Sequence, residues 1–310
     1  MTLMKETQFY LPSSLYSSGS PPSSNLRISG LEAGSINDTD ISVIFIHGWL
    51  DNAASFTSLV AQLPLSIAGR SLHFLAIDLP GHGLSQHKSS DNFYPFHDYI
   101  SDLHQLLRQI AAKNVILVGH SLGALIASCY SAAFPENVAA LVQIEGLGPL
   151  SEPADNSVAR LRQGIVNRKR LETKPLRGYD SREQALLHRM HANQLTAEQL
   201  DPLVERGCVF DGKRWQWRYD PKLRCDSLYR MTEEQALCYI QAVSCPNLLI
   251  VGTQGYPSIK QAQQRIQSLA KVQLAEIAGG HHCHLEHPQK TAKLIEVFIE
   301  QFISEQFELD

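Results

Sequence analysis

Apolar and polar positions along the first 150 residues follow the rhythm of short buried strands separated by amphipathic helices. Four apolar runs are short, rich in β-branched residues and followed closely by Gly, Asp or Glu. Because these runs are apolar at nearly every position rather than at alternate positions, they predict a parallel sheet covered on both faces. The predicted strands are residues 41–46, 72–77, 115–118 and 138–144.

The segments that follow these runs have helical periodicity. Apolar side chains recur at three- and four-residue intervals over residues 99–110 and 122–133, which predicts helices that cover the sheet. The same alternation returns near the end of the chain. There the pattern predicts strands at 247–251 and 272–277, and helices at 259–269 and 290–307.

Residues 151–240 have a different texture. Strand-like runs are absent, and Pro-rich turns separate short helical patterns such as 181–194 and 196–205. This segment carries 16 Lys and Arg against 13 Asp and Glu. The small positive excess weakly favours an anionic substrate, but a solvated helical face explains the excess equally well. We therefore predict a core formed by residues 1–150 and 241–310, with a helical cap inserted at 151–240.

Composition narrows the possible partners and the compartment. Hydrophobic residues make up 44% of the 310 residues and charged residues 19%, as in folded proteins. The net charge of −4 gives no excess of cations for a nucleic-acid backbone. The irregular spacing of the six cysteines indicates reduced thiols. The N-terminal residues show no secretion signal. The apolar stretch 122–134 is shorter than the ~20 residues that a bilayer requires. We therefore expect a cytoplasmic protein without membrane contact.

The segment Gly119-His120-Ser121-Leu122-Gly123 fits the Gly-x-Ser-x-Gly pattern of a nucleophilic serine. It lies directly after a predicted strand and before a predicted helix, where glycines permit the tight turn that exposes the serine hydroxyl. The alternative is a serine that only caps the helix. A nucleophilic serine also needs a base, and histidines occur at residues 281, 282, 284 and 287, just after the last predicted strand.

Four motifs in chain order resemble the α/β-hydrolase superfamily over nearly the whole chain. They lie at residues 45–49, 78–85, 119–123 and 279–288, and the fuller strings at 47–56 and 217–223 look most like its serine hydrolase-like branch. The resemblance implies an α/β fold of the α/β-hydrolase type, with a mostly parallel central sheet flanked by helices and a helical cap insertion. We expect no cofactor, because a Gly-x-Gly-x-x-Gly motif after a strand is missing from the sequence and hydrolysis needs only water.

Matched residue by residue, the resemblance makes Ser121 the nucleophile and His281 the general base. His282 is the main alternative for the general base. Only the family-like spacing Gly-His-x-x-His-Leu-Glu-x-Pro favours His281 over it. The backbone N–H groups of Trp49 and Leu122 would form the oxyanion hole. His47, His120 and Trp217 are candidates for the lining of the substrate pocket.

The acid of the triad departs from the commonest family pattern. The loop 252–256, which carries the acid in many relatives, contains no carboxylate. Glu145 instead ends an earlier strand, as in some haloalkane dehalogenases, so we assign it as the acid that orients the histidine. The alternative is that Glu145 merely begins a solvated loop. Asp78 belongs to a turn that is mostly structural in the family, and Glu286 is a remote alternative.

Three functions remain open at this stage. The first is a carboxylesterase that acts on small to medium esters through an acyl-enzyme. The second is a hydrolase of carbon–carbon bonds in diketone-like acids, and the third is a noncatalytic ligand-binding protein on the same fold. We expect no metal, because the clustered histidines lack a paired Cys or Asp at ligand spacing, and no partner beyond a small-molecule ester. The sequence does not indicate an oligomeric state.

Overall fold

The computed structural model of the protein describes residues 2–12, 25–173 and 178–307. Its main sheet has nine strands, in the order β1-β2-β5-β3-β6-β7-β10-β11, with β4 paired to β5. All pairings from β5 to β11 along this order are parallel, whereas β1, β2 and β4 pair antiparallel. The strands are β1 (Lys5–Leu11), β2 (Leu26–Ala33), β3 (Ile41–Ile46), β4 (Ser66–Ile67), β5 (Arg70–Ile77), β6 (Val115–His120), β7 (Ala140–Ile144), β8 (Cys208–Phe210), β9 (Trp215–Trp217), β10 (Asn247–Gly252) and β11 (Val272–Ile277).

Helices cover both faces of the sheet and bury its apolar side chains. One buried cluster packs α1 and α11 against the sheet, and a second packs α2, α3 and α7 against the opposite face. The described helices are α1 (Thr57–Val60), α2 (Phe96–Ile110), α3 (Leu122–Ala133), α4 (Ser157–Glu172), α5 (Arg182–Asn193), α6 (Ala197–Gly207), α7 (Glu233–Ala242), α8 (Pro257–Gln261), α9 (Gln263–Gln267), α10 (Cys283–Glu286) and α11 (Pro288–Phe307). Among the described residues, no helix is both long and apolar enough to cross a membrane.

This architecture confirms the predicted fold class, and the elements that flank the serine agree closely with the predicted ones. The prediction missed the N-terminal pair β1 and β2, because these strands are only partly buried and so lack a continuous apolar run. The predicted helix at 259–269 is two short helices that meet at Ala262. The Ser- and Pro-rich stretch 13–25 lies, apart from Asn25, outside the described residues.

The described part of the segment 151–240, which leaves out residues 174–177, contains three helices, α4 to α6, followed by an antiparallel hairpin and most of α7. The expectation that strands are absent from it is therefore wrong for β8 and β9, which are three residues each and too short to show a period in the sequence. The division into core and cap stays a prediction. Several contacts tie this segment to the core, and two of them are ion pairs: Arg206 binds the carboxylate of Asp78, and Arg189 binds that of Asp51.

Candidate active site

Ser121 occupies a strained turn between β6 and α3. Its backbone angles are φ 49° and ψ −115°, a conformation that non-glycine residues rarely adopt. The turn is possible because the residues two positions before and after Ser121 are glycines. A Cβ on Gly123 would overlap the carbonyl oxygen of Ile46, and one on Gly119 would overlap the backbone of α3. Strain of this kind is common at functional sites, and it presents the Ser121 side chain at the end of the strand.

Backbone N–H groups surround this turn. The Ser121 N–H donates to the carbonyl of Ile144 at 2.9 Å. Leu122 is the first residue of α3, a position whose N–H has no partner within the helix and lies at the positive end of the helix dipole. Trp49 lies on the loop after β3, borders the same cleft as Ser121, and donates its indole N–H to the carbonyl of Leu223 at 2.9 Å. Both predicted oxyanion-hole residues thus lie beside the serine turn or its cleft.

Glu145 follows β7 and is almost completely buried. Its φ of 50° turns the chain away from the strand, and only 2% of the residue is exposed. The carboxylate accepts hydrogen bonds from the N–H groups of Gly252 at 2.6 Å and Tyr256 at 3.1 Å. A Cβ on Gly255 would overlap this carboxylate. The loop that lacks an acid in the sequence therefore wraps around the acid that an earlier strand provides, and Glu145 does not begin a solvated loop.

His281 lies between this carboxylate and the cleft. Its Nδ1 atom is 3.2 Å from Oε2 of Glu145, and its ring centroid is 4.1 Å from that of Tyr256. His282 points elsewhere, with Nε2 at 3.5 Å from Oδ2 of Asp51. The structure therefore places the histidine favoured by spacing, rather than its neighbour, against Glu145.

The other two acids considered from the sequence are occupied by backbone groups. The buried carboxylate of Asp78 accepts from the N–H groups of Ala53 at 2.7 Å and Leu84 at 2.8 Å, and it also binds Arg206. Glu286 accepts from the N–H of Gly280 at 2.7 Å, so it braces the loop that carries His281. These contacts suit structural roles for both carboxylates.

A cleft of about 1650 Å³ opens over the serine turn. Ser121, His281 and Trp49 border it on the sheet side, and the hairpin strand β9 and helix α5 contribute the facing wall. The ionised groups that border it are mostly cationic. They are Arg27, Arg189, Arg218 and Arg224, against the carboxylates of Asp51 and Glu286. The cleft is larger than the ~300–1,000 Å³ of a typical small-ligand pocket.

Two of the three predicted pocket residues border this cleft, and the third does not. Trp217 and His120 line it, although His120 is only 1% exposed. His47 is fully buried away from the described cleft lining, and the prediction for it is wrong. Its Nε2 accepts from the N–H of Leu79 at 3.0 Å, so its Nδ1–H donates to the carbonyl of Gly48 at 2.7 Å, and burial lowers the pKa of the ring.

A second polar cluster lies beside the serine, and it was not predicted from the sequence. Asp51 is 3% exposed and binds Arg189 of α5, with His120 and His282 on its other side. Burial raises the pKa of Asp51, but the opposing effect of Arg189 and His282 is larger, and the net pKa lies well below its usual value. Asp51 is therefore an anion at every ordinary pH. Its partners come from three distant parts of the chain, so no local spacing could reveal the cluster.

Comparison with known proteins finds relatives that match most of this chain. A serine hydrolase-like protein of Danio rerio is 26% identical over 277 residues, which cover 83% of this chain and 81% of that protein. A probable serine hydrolase of Drosophila melanogaster is 28% identical over 276 residues, covering 84% of this chain and 81% of its own. The crystal structure of a hypothetical protein from Pseudomonas aeruginosa PAO1 superimposes with a TM-score of 0.83 at 27% identity, covering 95% of this chain and 99% of the other.

The alpha/beta hydrolase family matches residues 43–294, a range that begins in β3 and ends in α11. The match therefore contains the serine turn, Glu145 and the histidine loop as well as the parallel part of the sheet. Because the family match spans most of the chain, this chain belongs to the alpha/beta hydrolase family.

Proposed function

We propose that the protein is a serine hydrolase that cleaves carboxylic esters through an acyl-enzyme on Ser121. The observation that carries this proposal is the contact of His281 with the buried Glu145, beside a serine held in a strained turn. These residues follow β6, β7 and β11, whose carboxyl ends lie along one edge of the parallel sheet. A nucleophile, a base and an acid in this arrangement are the machinery of acyl transfer.

In the proposed reaction the Ser121 hydroxyl oxygen attacks the ester carbonyl carbon, and His281 Nε2 takes the hydroxyl proton. Glu145 stabilises the resulting imidazolium through Nδ1–H without taking the proton itself. The backbone N–H groups of Trp49 and Leu122 stabilise the oxyanion, and His281 returns the proton to the departing alcohol. A water molecule then attacks the acyl carbonyl carbon and gives one proton to His281. The bond from Ser121 to the acyl group breaks, His281 returns that proton to the Ser121 oxygen, and the carboxylic acid leaves.

Labelling with a fluorophosphonate tests the activated serine whatever the natural substrate. We expect one covalent adduct per chain by intact mass, and none on the Ser121→Ala variant. Ser55→Ala is a matched control, because Ser55 is a buried serine whose hydroxyl bonds His284 rather than His281. An unlabelled parent protein that nevertheless binds small acids or esters would favour the noncatalytic alternative.

The four arginines that border the cleft favour a second candidate within the same chemistry. A diketone-like acid has a carboxylate that a guanidinium binds well, and its carbon–carbon bond can be hydrolysed with the same serine and histidine. Comparing kcat/KM for a neutral p-nitrophenyl ester with that for a vinylogous diketone acid separates the two. Arg224→Gln should raise KM for the acid and leave KM for the neutral ester unchanged.

We also propose a reducing, cytoplasmic setting. All six cysteines are free thiols, and burial raises the pKa of Cys129 and Cys283 to about 12. Such thiols are poor nucleophiles and are not positioned as disulfide pairs. Fractionation of cells that express the full chain, followed by detection of the protein, tests this setting.

A further inference from the structure

A second carboxylate–histidine cluster lies beside the residues proposed for catalysis. It consists of Asp51, His120 and His282, which offer one oxygen and two ring nitrogens within 4.8 Å of one another. Oδ2 of Asp51 is 3.7 Å from Nδ1 of His120 and 3.5 Å from Nε2 of His282. We call these three residues the Asp51 cluster.

These separations are longer than those of ordinary hydrogen bonds, which bring such atoms to ~2.7–3.2 Å. They are close to the distance between two ligands of one metal ion. With metal–ligand bonds of ~2.0–2.1 Å and tetrahedral angles, neighbouring ligand atoms lie ~3.3 Å apart. The two oxygen–nitrogen separations of the Asp51 cluster are therefore close to the spacing that a shared ion requires. An ion would displace the side-chain amide of Asn193, whose Nδ2 lies 3.1 Å from Nε2 of His282.

The protonation of His120 supports the same conclusion. Its Nε2 lies 2.9 Å from the backbone carbonyl of His281, so Nε2 carries the proton and donates it there. The neutral ring then has a lone pair on Nδ1, which is buried and has no hydrogen-bond partner within the described part of the chain. A lone pair facing a carboxylate oxygen needs a cation or a donor between them. A backbone acceptor on the second nitrogen is also the usual arrangement of a metal-bound histidine.

We propose that the Asp51 cluster is a binding site for a divalent transition metal of the Zn²⁺ type, and that the ion inhibits the hydrolase. Asp51, His120 and His282 all border the cleft, which gives an ion a route from solvent. A fourth position is left for water. Arg189 holds the other oxygen of Asp51, and its positive charge makes the site weaker than a structural zinc site.

Inhibition follows from the position of the ion, and this part of the inference rests on the proposed function. The ring centroid of His281 lies 4.9 Å from that of His120 and 5.2 Å from that of His282. An ion bound between His120 and His282 would therefore lie beside His281. Its charge would repel the positive charge that the His281 ring gains during the reaction. Metal binding itself does not depend on whether Ser121 is a nucleophile.

The direct test is a titration of the full chain, freed of metal with a chelator, by Zn²⁺ in competition with a chromophoric indicator. We expect one ion per chain, and His282→Gln should weaken binding about tenfold or more. His191→Gln is the matched control, since His191 is an exposed histidine on α5 and its loss should leave affinity unchanged. Co²⁺ should give the absorption bands of a four-coordinate nitrogen- and oxygen-ligated ion.

Asp51→Asn provides a second, independent loss of a ligand that keeps the shape of the side chain. Equal Zn²⁺ affinity in the parent, His282→Gln and Asp51→Asn proteins, or no binding at all, would overturn the proposal. The inhibitory part is read from the rate of fluorophosphonate labelling with and without Zn²⁺. Binding without slower labelling overturns inhibition alone, whereas a parent protein that binds Zn²⁺ but is never labelled contradicts the proposed function and leaves the metal site standing.

Discussion

Two buried carboxylates stand on either side of the histidine loop, and they are held in different ways. Glu145 is bound by two backbone N–H groups and faces His281 at hydrogen-bonding distance. Asp51 is bound by the guanidinium of Arg189, and its two histidine neighbours stand beyond hydrogen-bonding distance. The first carboxylate is fixed by the main chain, and the second by an arginine side chain from the segment 151–240.

This difference distinguishes a carboxylate that can assist proton transfer from one that is held in an ion pair. The sequence pattern alone does not distinguish the two. A carboxylate at 3.2 Å from a ring nitrogen orients the ring and shares its proton, which general-base catalysis requires. Asp51 is already neutralised by an arginine, and its histidine neighbours stand at 3.5 and 3.7 Å. Asp51 therefore shares no proton with either histidine. Adjacent histidines in one loop are thus assigned to different acids, and only one pair suits proton transfer.

The sharpest way to break this comparison is to remove the charge from each carboxylate in turn. Glu145→Gln should lower kcat/KM for a p-nitrophenyl ester by about 10⁴-fold, because the imidazolium loses its stabilising anion and the ring its fixed tautomer. Asp51→Asn should lower it by no more than about tenfold, or ~1.4 kcal/mol of barrier, since Asp51 contacts neither Ser121 nor His281 in the described structure. Initial rates at saturating and limiting ester measure both effects.

Glu286→Gln is the matched control for these variants. Its carboxylate also borders the cleft, yet it binds the N–H of Gly280 rather than a histidine. We expect a loss comparable to that of Asp51→Asn. A similar loss for all three substitutions would mean that Glu145 has no special role in the reaction.

The second comparison concerns stability, and it uses two arginines of α5. Arg189 pairs with the buried Asp51, whereas Arg182 pairs at 2.7 Å with Asp201, which is about half exposed. Arg189→Met leaves a buried anion without its partner and should cost about 3–5 kcal/mol in the free energy of unfolding. Urea denaturation at neutral pH measures the change.

Arg182→Met removes the same charge from the same helix and should cost about 0–1 kcal/mol, because solvent screens its pair. The contrast between the two variants therefore isolates burial from helix propensity. If Arg189→Met were as mild as Arg182→Met, the histidines of the Asp51 cluster would have to supply the missing positive charge.

Local pattern was enough to predict the parallel sheet and the serine turn. The strand before Ser121 is continuously apolar and the helix after it is periodic, so the position of the turn follows from residues that are neighbours in the chain. Glu145 also could be found, because it ends a predicted strand and the usual loop lacks an acid. Each of these signals lies within one element or at its end.

The rest depends on contacts between distant residues. Asp51 meets Arg189 across 138 positions, and the hydrogen bonds that hold Glu145 come from backbone groups of Gly252 and Tyr256 rather than from recognisable side chains. His47 was misjudged for the opposite reason. It lies in a motif beside the site, but its two ring nitrogens bind backbone groups within the core. Sequence spacing does not distinguish these cases.

A smaller effect sharpens the description of the histidines near Asp51. The ring of His284 packs 4.2 Å from that of His120, is fully buried, and burial lowers its pKa to about 3. In the unfolded chain the same side chain takes a proton below pH ~6.5, whereas the folded protein keeps it neutral. The unfolded state therefore binds more protons between pH 6.5 and about 3, and stability must fall as pH falls through this range.

His284→Gln should remove the part of this pH dependence that is due to His284. That part lowers the free energy of unfolding by about 1.4 kcal/mol for each pH unit below 6.5. The parent and the variant should differ by a constant amount above pH 7, because neither state gains a proton there. Urea unfolding at pH 8, 6 and 5 measures the three differences. His97→Gln, which replaces an exposed histidine, should follow the parent at every pH. Parallel curves for parent and His284→Gln would show that the buried ring is protonated in the folded protein, and the region around Asp51 would then hold its own positive charge instead of needing an ion.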